Sequence, residues 1–187
     1  MRLGQLQFTQ GKTAQAIESV SKAIDLYPDL AEAHNLLGLI HLQQSEYKEA
    51  ADSLRKAVAI NPYFTDAHNH LGIAYKELKQ YVKAEAEFEA ALNDRNYGSQ
   101  EKIHLNMGHM YLDQGQVERA VEAFQRAIIV APDYLLGHLG LGMAYQQAGR
   151  VDKAVEQFRK VVALQPDSQE AGQARRLLER HATREGS

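Results

Sequence analysis

The chain has no cysteine, no tryptophan and only four prolines among 187 residues. Without cysteine there is no disulfide, no thiolate nucleophile and no Cys-based zinc site. The absence does not fix a compartment, because cysteine-free chains persist in the cytosol and in the periplasm. A basic excess is also missing. The net charge of −3 gives no electrostatic footprint for nucleic acid. No apolar run approaches the roughly 18 residues of a membrane-spanning helix, and the sequence as it stands carries no signal-peptide pattern. Gly-rich phosphate loops, His-Glu-x-x-His helices and Gly-x-Ser-x-Gly elbows do not occur. The expectation is a chain that is not an enzyme and holds no cofactor.

What the chain does have is period. Gly4, Gly38, Gly72, Gly108 and Gly142 lie 34, 34, 36 and 34 residues apart. Each follows Leu3, Leu37, Leu71, Met107 or Leu141. Three residues on come Gln7, His41, Tyr75, Tyr111 and Tyr145. Further columns hold Ala16, Ala50, Ala84, Ala120 and Ala154, then Val20, Leu54, Phe88, Phe124 and Phe158. The last column is Pro28, Pro62, Asn96, Pro132 and Pro166, which uses every proline in the chain. A period near 34 is that of stacked helical hairpins.

The columns have physical reasons. Glycine and alanine let the two helices of a hairpin approach closely. The large apolar residues fill the space between hairpins. Proline cannot donate to the helix ladder, so it ends the second helix of each repeat. Apolar spacing predicts a first helix over Ala31–Gln44 and a second over Tyr47–Ile60. A hydrophobic content of 44% supplies a continuous core.

These columns resemble the tetratricopeptide repeat (TPR) family over nearly the whole chain, whose pattern is Trp-x2-Leu-Gly-x2-Tyr, Ala-x3-Phe and Pro. The resemblance implies an all-α, right-handed superhelical solenoid of about five helical hairpins, eleven helices in all with a C-terminal cap. The repeats fall at about 1–30, 31–64, 65–100, 101–134 and 135–168. A capping helix over 169–182 covers the last core, and 183–187 is a frayed tail. Residues 1–182 thus read as a single solenoid domain. Met1 lies one position past the column of His34, His68, His104 and His138, which stands where the family has Trp. A hairpin that opens inside its first helix is the expectation for a fragment of a longer protein.

Eight histidines raise the question of a metal. The column histidines fall one per repeat, about a helix diameter apart, roughly 10 Å, whereas one metal needs ligands near 2 Å from a shared centre. His68 and His70 are two apart and point to different sides of a helix. His104 and His109 are five apart, also a poor spacing. They read as packing residues, and Glu85, Glu87 and Glu89 read as a solvated helix face.

What remains is recognition. In the family the first helices line a concave face. Carried over column by column, the resemblance places Phe8 of the first repeat in a partner-binding groove. Asn35, Leu36, Leu39 and Leu42 follow from the second repeat, and Asn69, His70, Ile73 and Lys76 from the third. The fourth contributes Leu105, Asn106, His109 and Leu112, and the fifth Leu139 and Met143. Such a groove suits a protein or peptide partner that offers an apolar helix or strand, with asparagine amides bonding its backbone. Several of these leucines could instead be buried between helices. The basic clamp of chaperone-adaptor TPRs does not fit, because Glu32 and Asp66 would repel a carboxylate.

The 36-residue spacing comes from two extra residues near Ala91-Leu-Asn-Asp-Arg-Asn-Tyr-Gly-Ser-Gln100. This junction resembles the TPR lipoproteins of type IV pilus biogenesis, the pilotins, in detail over about Phe88 to Leu164. That resemblance implies an outer-membrane secretin as partner and a periplasmic, outer-membrane-associated location. The chain lacks the lipid-accepting cysteine such lipoproteins place at the mature N-terminus. The alternative is a cytosolic TPR adaptor or scaffold for another complex.

Overall fold

The computed structural model describes residues 1–185, with the side chains of residues 1–180. Among the described residues there are eleven α-helices and no strand. The chain divides into two compact units, with the boundary in sequence after Tyr97. The first unit holds α1 (Arg2–Thr9), α2 (Thr13–Leu26), α3 (Ala31–Gln43), α4 (Tyr47–Ile60), α5 (Thr65–Glu77) and α6 (Tyr81–Leu92). The second holds α7 (Gln100–Asp113), α8 (Val117–Val130), α9 (Leu135–Gln147), α10 (Val151–Leu164) and α11 (Gln169–Glu185). Successive helices pair as hairpins, and α11 packs on both α9 and α10, as a cap must. It runs past the 182 boundary expected for it. Residues 186 and 187 of the expected frayed tail lie outside the described residues.

Each hairpin turns in the same way. The first helix ends in a Schellman motif whose left-handed residue is Gly11, Ser45, Lys79, Gly115 or Gly149, with φ between 58° and 73°. The next residue, Lys12, Glu46, Gln80, Gln116 or Arg150, donates its N–H back to the carbonyl of Gln7, His41, Tyr75, Tyr111 or Tyr145 at 2.8–2.9 Å. These bonds satisfy carbonyls that the helix end leaves without partners. The second helix starts at once after them.

The core follows the columns. Ala16, Ala50, Ala84, Ala120 and Ala154 are fully buried, as are Val20, Leu54, Phe88, Phe124 and Phe158. Each fully buried Phe contributes about 1.5–3 kcal/mol relative to an exposed one. The glycine column makes room for them. A methyl group on Gly72 would lie 2.6 Å from Cε1 of Phe88, and one on Gly108 2.5 Å from Cε1 of Phe124.

The proline turns are tied down by side chains. Ring Nε2 of His34, His68 and His138 lies 2.8, 3.0 and 2.7 Å from the carbonyl oxygens of Pro28, Pro62 and Pro132. A carbonyl oxygen only accepts, so Nε2 carries the proton in all three. The fourth proline has no histidine six residues on, and Arg175 donates to the Pro166 carbonyl instead at 2.6 Å. Three of the four column histidines therefore do more than pack: His34, His68 and His138 each fasten their helix to the turn before it.

Candidate partner-binding groove

In the first unit α3 and α5, the first helices of adjacent repeats, touch directly. Asn35, Leu39 and Leu42 recur at i, i+4 and i+7 on α3 and so share one face. His70, Ile73 and Lys76, at i, i+3 and i+6, lie along one side of α5. One hydrogen bond joins the two faces: His70 Nδ1 lies 2.9 Å from Asn35 Oδ1. An amide oxygen only accepts, so the neutral ring carries its proton on Nδ1. Burial pushes the His70 pKa down, against the opposing charge of Asp66. Leu39, Leu42, Ile73 and Lys76 are half-buried beside this bond, so each keeps surface for a partner. Lys76 also pairs with Glu77 at 2.7 Å. Phe8 on α1 is half-buried and packs against a cluster of Ala16, Val20, Ala33, Leu36 and Ile40.

The second unit repeats the arrangement with α7 against α9. Asn106, His109 and Leu112 on α7 and Met143 on α9 are half-buried. His109 meets the Phe124 ring edge-on, with centroids 5.2 Å apart, so part of its surface is spent on its own hairpin.

Four of the groove positions lie deeper than the rest. Leu36 is 2% exposed and sits in the Val20 cluster. Asn69, Leu105 and Leu139 are buried as well. Depth on a shared face depends on the size of the neighbour behind it, which a column pattern does not carry.

The residues around 93–97 build a second feature of the first unit. Thr65 Oγ1 donates to Asp94 Oδ2 at 2.9 Å, and the Asn96 N–H donates to Asp94 Oδ1 at 3.1 Å. The Tyr97 hydroxyl donates to Asp66. The inserted segment thus straps the first turn of α5. A pocket of about 530 Å³ opens beside it, lined by Pro62, Tyr63, Thr65, His68, Ala90, Asn93 and Asp94. Sequence reasoning missed this strap, although Asp94 and Tyr97 stand in the insertion that breaks the period.

The structure corrects the reading of one carboxylate. Glu87 is not a solvated residue of its helix face, because its Oε2 lies 2.7 Å from His68 Nδ1 and both side chains are half-buried. Glu89 is exposed and Glu85 half-buried. Among the described residues, no group of three or more His, Asp or Glu is placed to hold a metal ion, and no helix is long and apolar enough to cross a membrane.

Comparison with known proteins agrees with this architecture. The tetratricopeptide repeat model matches residues 1–63 and 105–169, and a second model of the same description matches 41–96. No curated protein matches the chain. Among solved structures it is similar to PilW, a widely conserved type IV pilus biogenesis factor. The TM-score is 0.84 at 22% identity, over 90% of this chain and 77% of that one. It is similar to Pseudomonas aeruginosa PilF, with TM-score 0.79 at 21% identity, over 96% and 88% of the two chains. It is similar as well to YrrB, a TPR protein with an unusual peptide-binding site, with TM-score 0.70 at 22% identity, over 94% and 90%. Likeness at this identity carries the fold alone. With the glycine and alanine columns buried inside the hairpins, the prolines exposed in the turns between them, and repeat models spanning most of both units, the chain belongs to the tetratricopeptide repeat family.

Proposed function

We propose that this TPR protein is a non-catalytic scaffold that binds an apolar segment of a partner protein along the α3–α5 face. The observation that carries this reading is the Asn35–His70 bond. It sets the α3 and α5 faces side by side and leaves Leu39, Leu42 and Ile73 half-buried along them. Burying such side chains under a partner yields about 25 cal/mol per Å² of apolar surface. The Asn35 amide N–H groups, opposite the oxygen that His70 uses, can bond a partner's backbone. The equivalent α7–α9 face offers Leu112 and Met143.

The partner we favour is a segment of an outer-membrane secretin, with this chain acting as a pilotin-like assembly factor. The likeness to PilW and PilF supports that reading, as does the Ala91–Tyr97 insertion. The second reading is a cytosolic adaptor for another complex, favoured by the likeness to YrrB with its peptide-binding site. The N-terminal sequence of the natural protein separates them: a signal peptide with a lipid-accepting cysteine favours the first.

The test is a pull-down with the chain as bait, read by mass spectrometry, in three forms. The parent captures a partner. The double variant Leu39→Glu, Ile73→Glu loses it while the helical circular dichroism signal survives. Glu122→Lys, an exposed change on α8, keeps it. Capture that persists in the double variant, or fails only in Glu122→Lys, excludes the α3–α5 face. For the secretin reading, the double variant leaves the secretin unassembled in cells.

A further inference from the structure

His68 holds acceptors on both ring nitrogens. Nε2 lies 3.0 Å from the Pro62 carbonyl and Nδ1 lies 2.7 Å from the Glu87 carboxylate. A carbonyl and an ionised carboxylate only accept, so while Glu87 is ionised both bonds together require a proton on each nitrogen, that is, an imidazolium. The other repeats provide internal controls. The residue nineteen positions after each column histidine is Ser53 for His34, Glu87 for His68, Ala123 for His104 and Gln157 for His138. Gln157 Oε1 lies 2.8 Å from His138 Nδ1, but an amide can also turn its NH2 to a neutral ring, so that bond needs no charge. Glu87 is the one carboxylate in the column.

We propose that His68 and Glu87 form a proton-dependent latch, which fastens the Pro62 turn to α6 while the imidazole is charged and loosens when the proton leaves. The charged surroundings favour it. From α6 the facing group is Glu87, and from the loop after α6 it is Asp94, which lines the same pocket. On α5 itself Asp66 acts on His70 and bonds Tyr97. On α4, Arg55 and Asp52 pair with each other and act on Tyr75. On α3, Asn35 bonds His70. Apart from burial, which opposes, every influence on His68 raises its pKa: the Glu87 bond first, then the Pro62 carbonyl and the Glu87 charge. A histidine whose folded pKa is raised contributes stability that is fully present below its unfolded value of about 6.5 and is lost as pH rises through the folded value. The latch and the Asp94–Tyr97 strap close on the same first turn of α5, so loosening one leaves that turn held by the other alone.

The test is an NMR titration of the histidine side chains in the whole chain, as parent and as Glu87→Gln. Glutamine at 87 copies the His138–Gln157 pair and so keeps a partner for the ring. In the parent, His68 titrates above the ordinary histidine value, and in Glu87→Gln its midpoint falls. The urea midpoint of the parent exceeds that of the variant near pH 6, and the gap narrows as pH rises to about 9. A parent His68 that titrates at or below about 6.5 overturns the latch whether or not the variant folds. So does a midpoint that Glu87→Gln leaves unmoved, or a stability gap that does not change with pH.

Discussion

Gly140 of α9 faces Phe124 of α8 so closely that a methyl group in its place would lie 2.5 Å from Cε1 of the ring. Gly108 of α7 meets the same ring from its own hairpin. Phe124 is fully buried, with glycines of two helices against its ring. Gly140→Ala therefore overpacks the contact at about 1–3 kcal/mol, offset by up to about 1 kcal/mol from alanine's better helix propensity. The expected outcome is a lower urea midpoint, with the loss shrinking in a Phe124→Leu background. Equal losses in both backgrounds would show that the ring is not what Gly140 avoids.

Ala84 and Ala120, where the two helices of a hairpin meet, have no exposed surface at all. Replacing either by Leu forces the helices apart and costs about 1–3 kcal/mol. Urea midpoints that match the parent would place these alanines away from the hairpin contact.

Ser45 and Lys79 occupy the left-handed turn position that Gly11, Gly115 and Gly149 occupy elsewhere, at φ 61° and 58°. A side-chain-bearing residue there carries about 1–2 kcal/mol of strain. Lys79→Gly relieves it, less the backbone entropy that glycine adds to the unfolded chain. The net expectation is a gain of about 0.5–1 kcal/mol, visible as a higher melting temperature, whereas glycine in the middle of α6 lowers it. A Lys79→Gly variant that melts below the parent contradicts the assignment of that turn.

His70 gives a pH dependence opposite to that of its neighbour two residues back. Its folded pKa is depressed by burial, so the unfolded chain binds more protons as pH falls below about 6.5. Acid therefore destabilises the fold through His70. In His70→Asn, which retains an amide near Asn35, the loss of stability between about pH 7 and about pH 5 is smaller than in the parent. Identical acid curves for both proteins would remove His70 from the account.

Much of this fold was legible because the chain states its pattern five times. The second helix of the second repeat, expected over Tyr47–Ile60, spans those residues as α4, and α3 ends one residue short of the expected Gln44. The turn column was missed because two of its five members, Ser45 and Lys79, are not glycine. The histidine bonds were missed because a packing role accounted for the column, although His34, His68 and His138 each stand six residues after a proline. The strap of Asp94 on Thr65 and Tyr97 on Asp66 breaks the period, and a repeat pattern carries no information about what replaces it. The groove positions were legible as a face. How deep each lies was not, since it depends on partners such as Val20 behind Leu36.

The same size matching also dictates the order in which the hairpins can follow one another. Val20 is small, and Leu36 of the next hairpin shares its cluster. Phe124 is large, and the position equivalent to Leu36 in the hairpin after it is Gly140. If α3 followed α8, Leu36 would be driven into the Phe124 ring. If α9 followed α2, Gly140 would leave a void over Val20. Hairpins that look interchangeable by their shared columns are thus keyed to their neighbours, and a shuffled chain would carry a clash at one junction and a hole at the other.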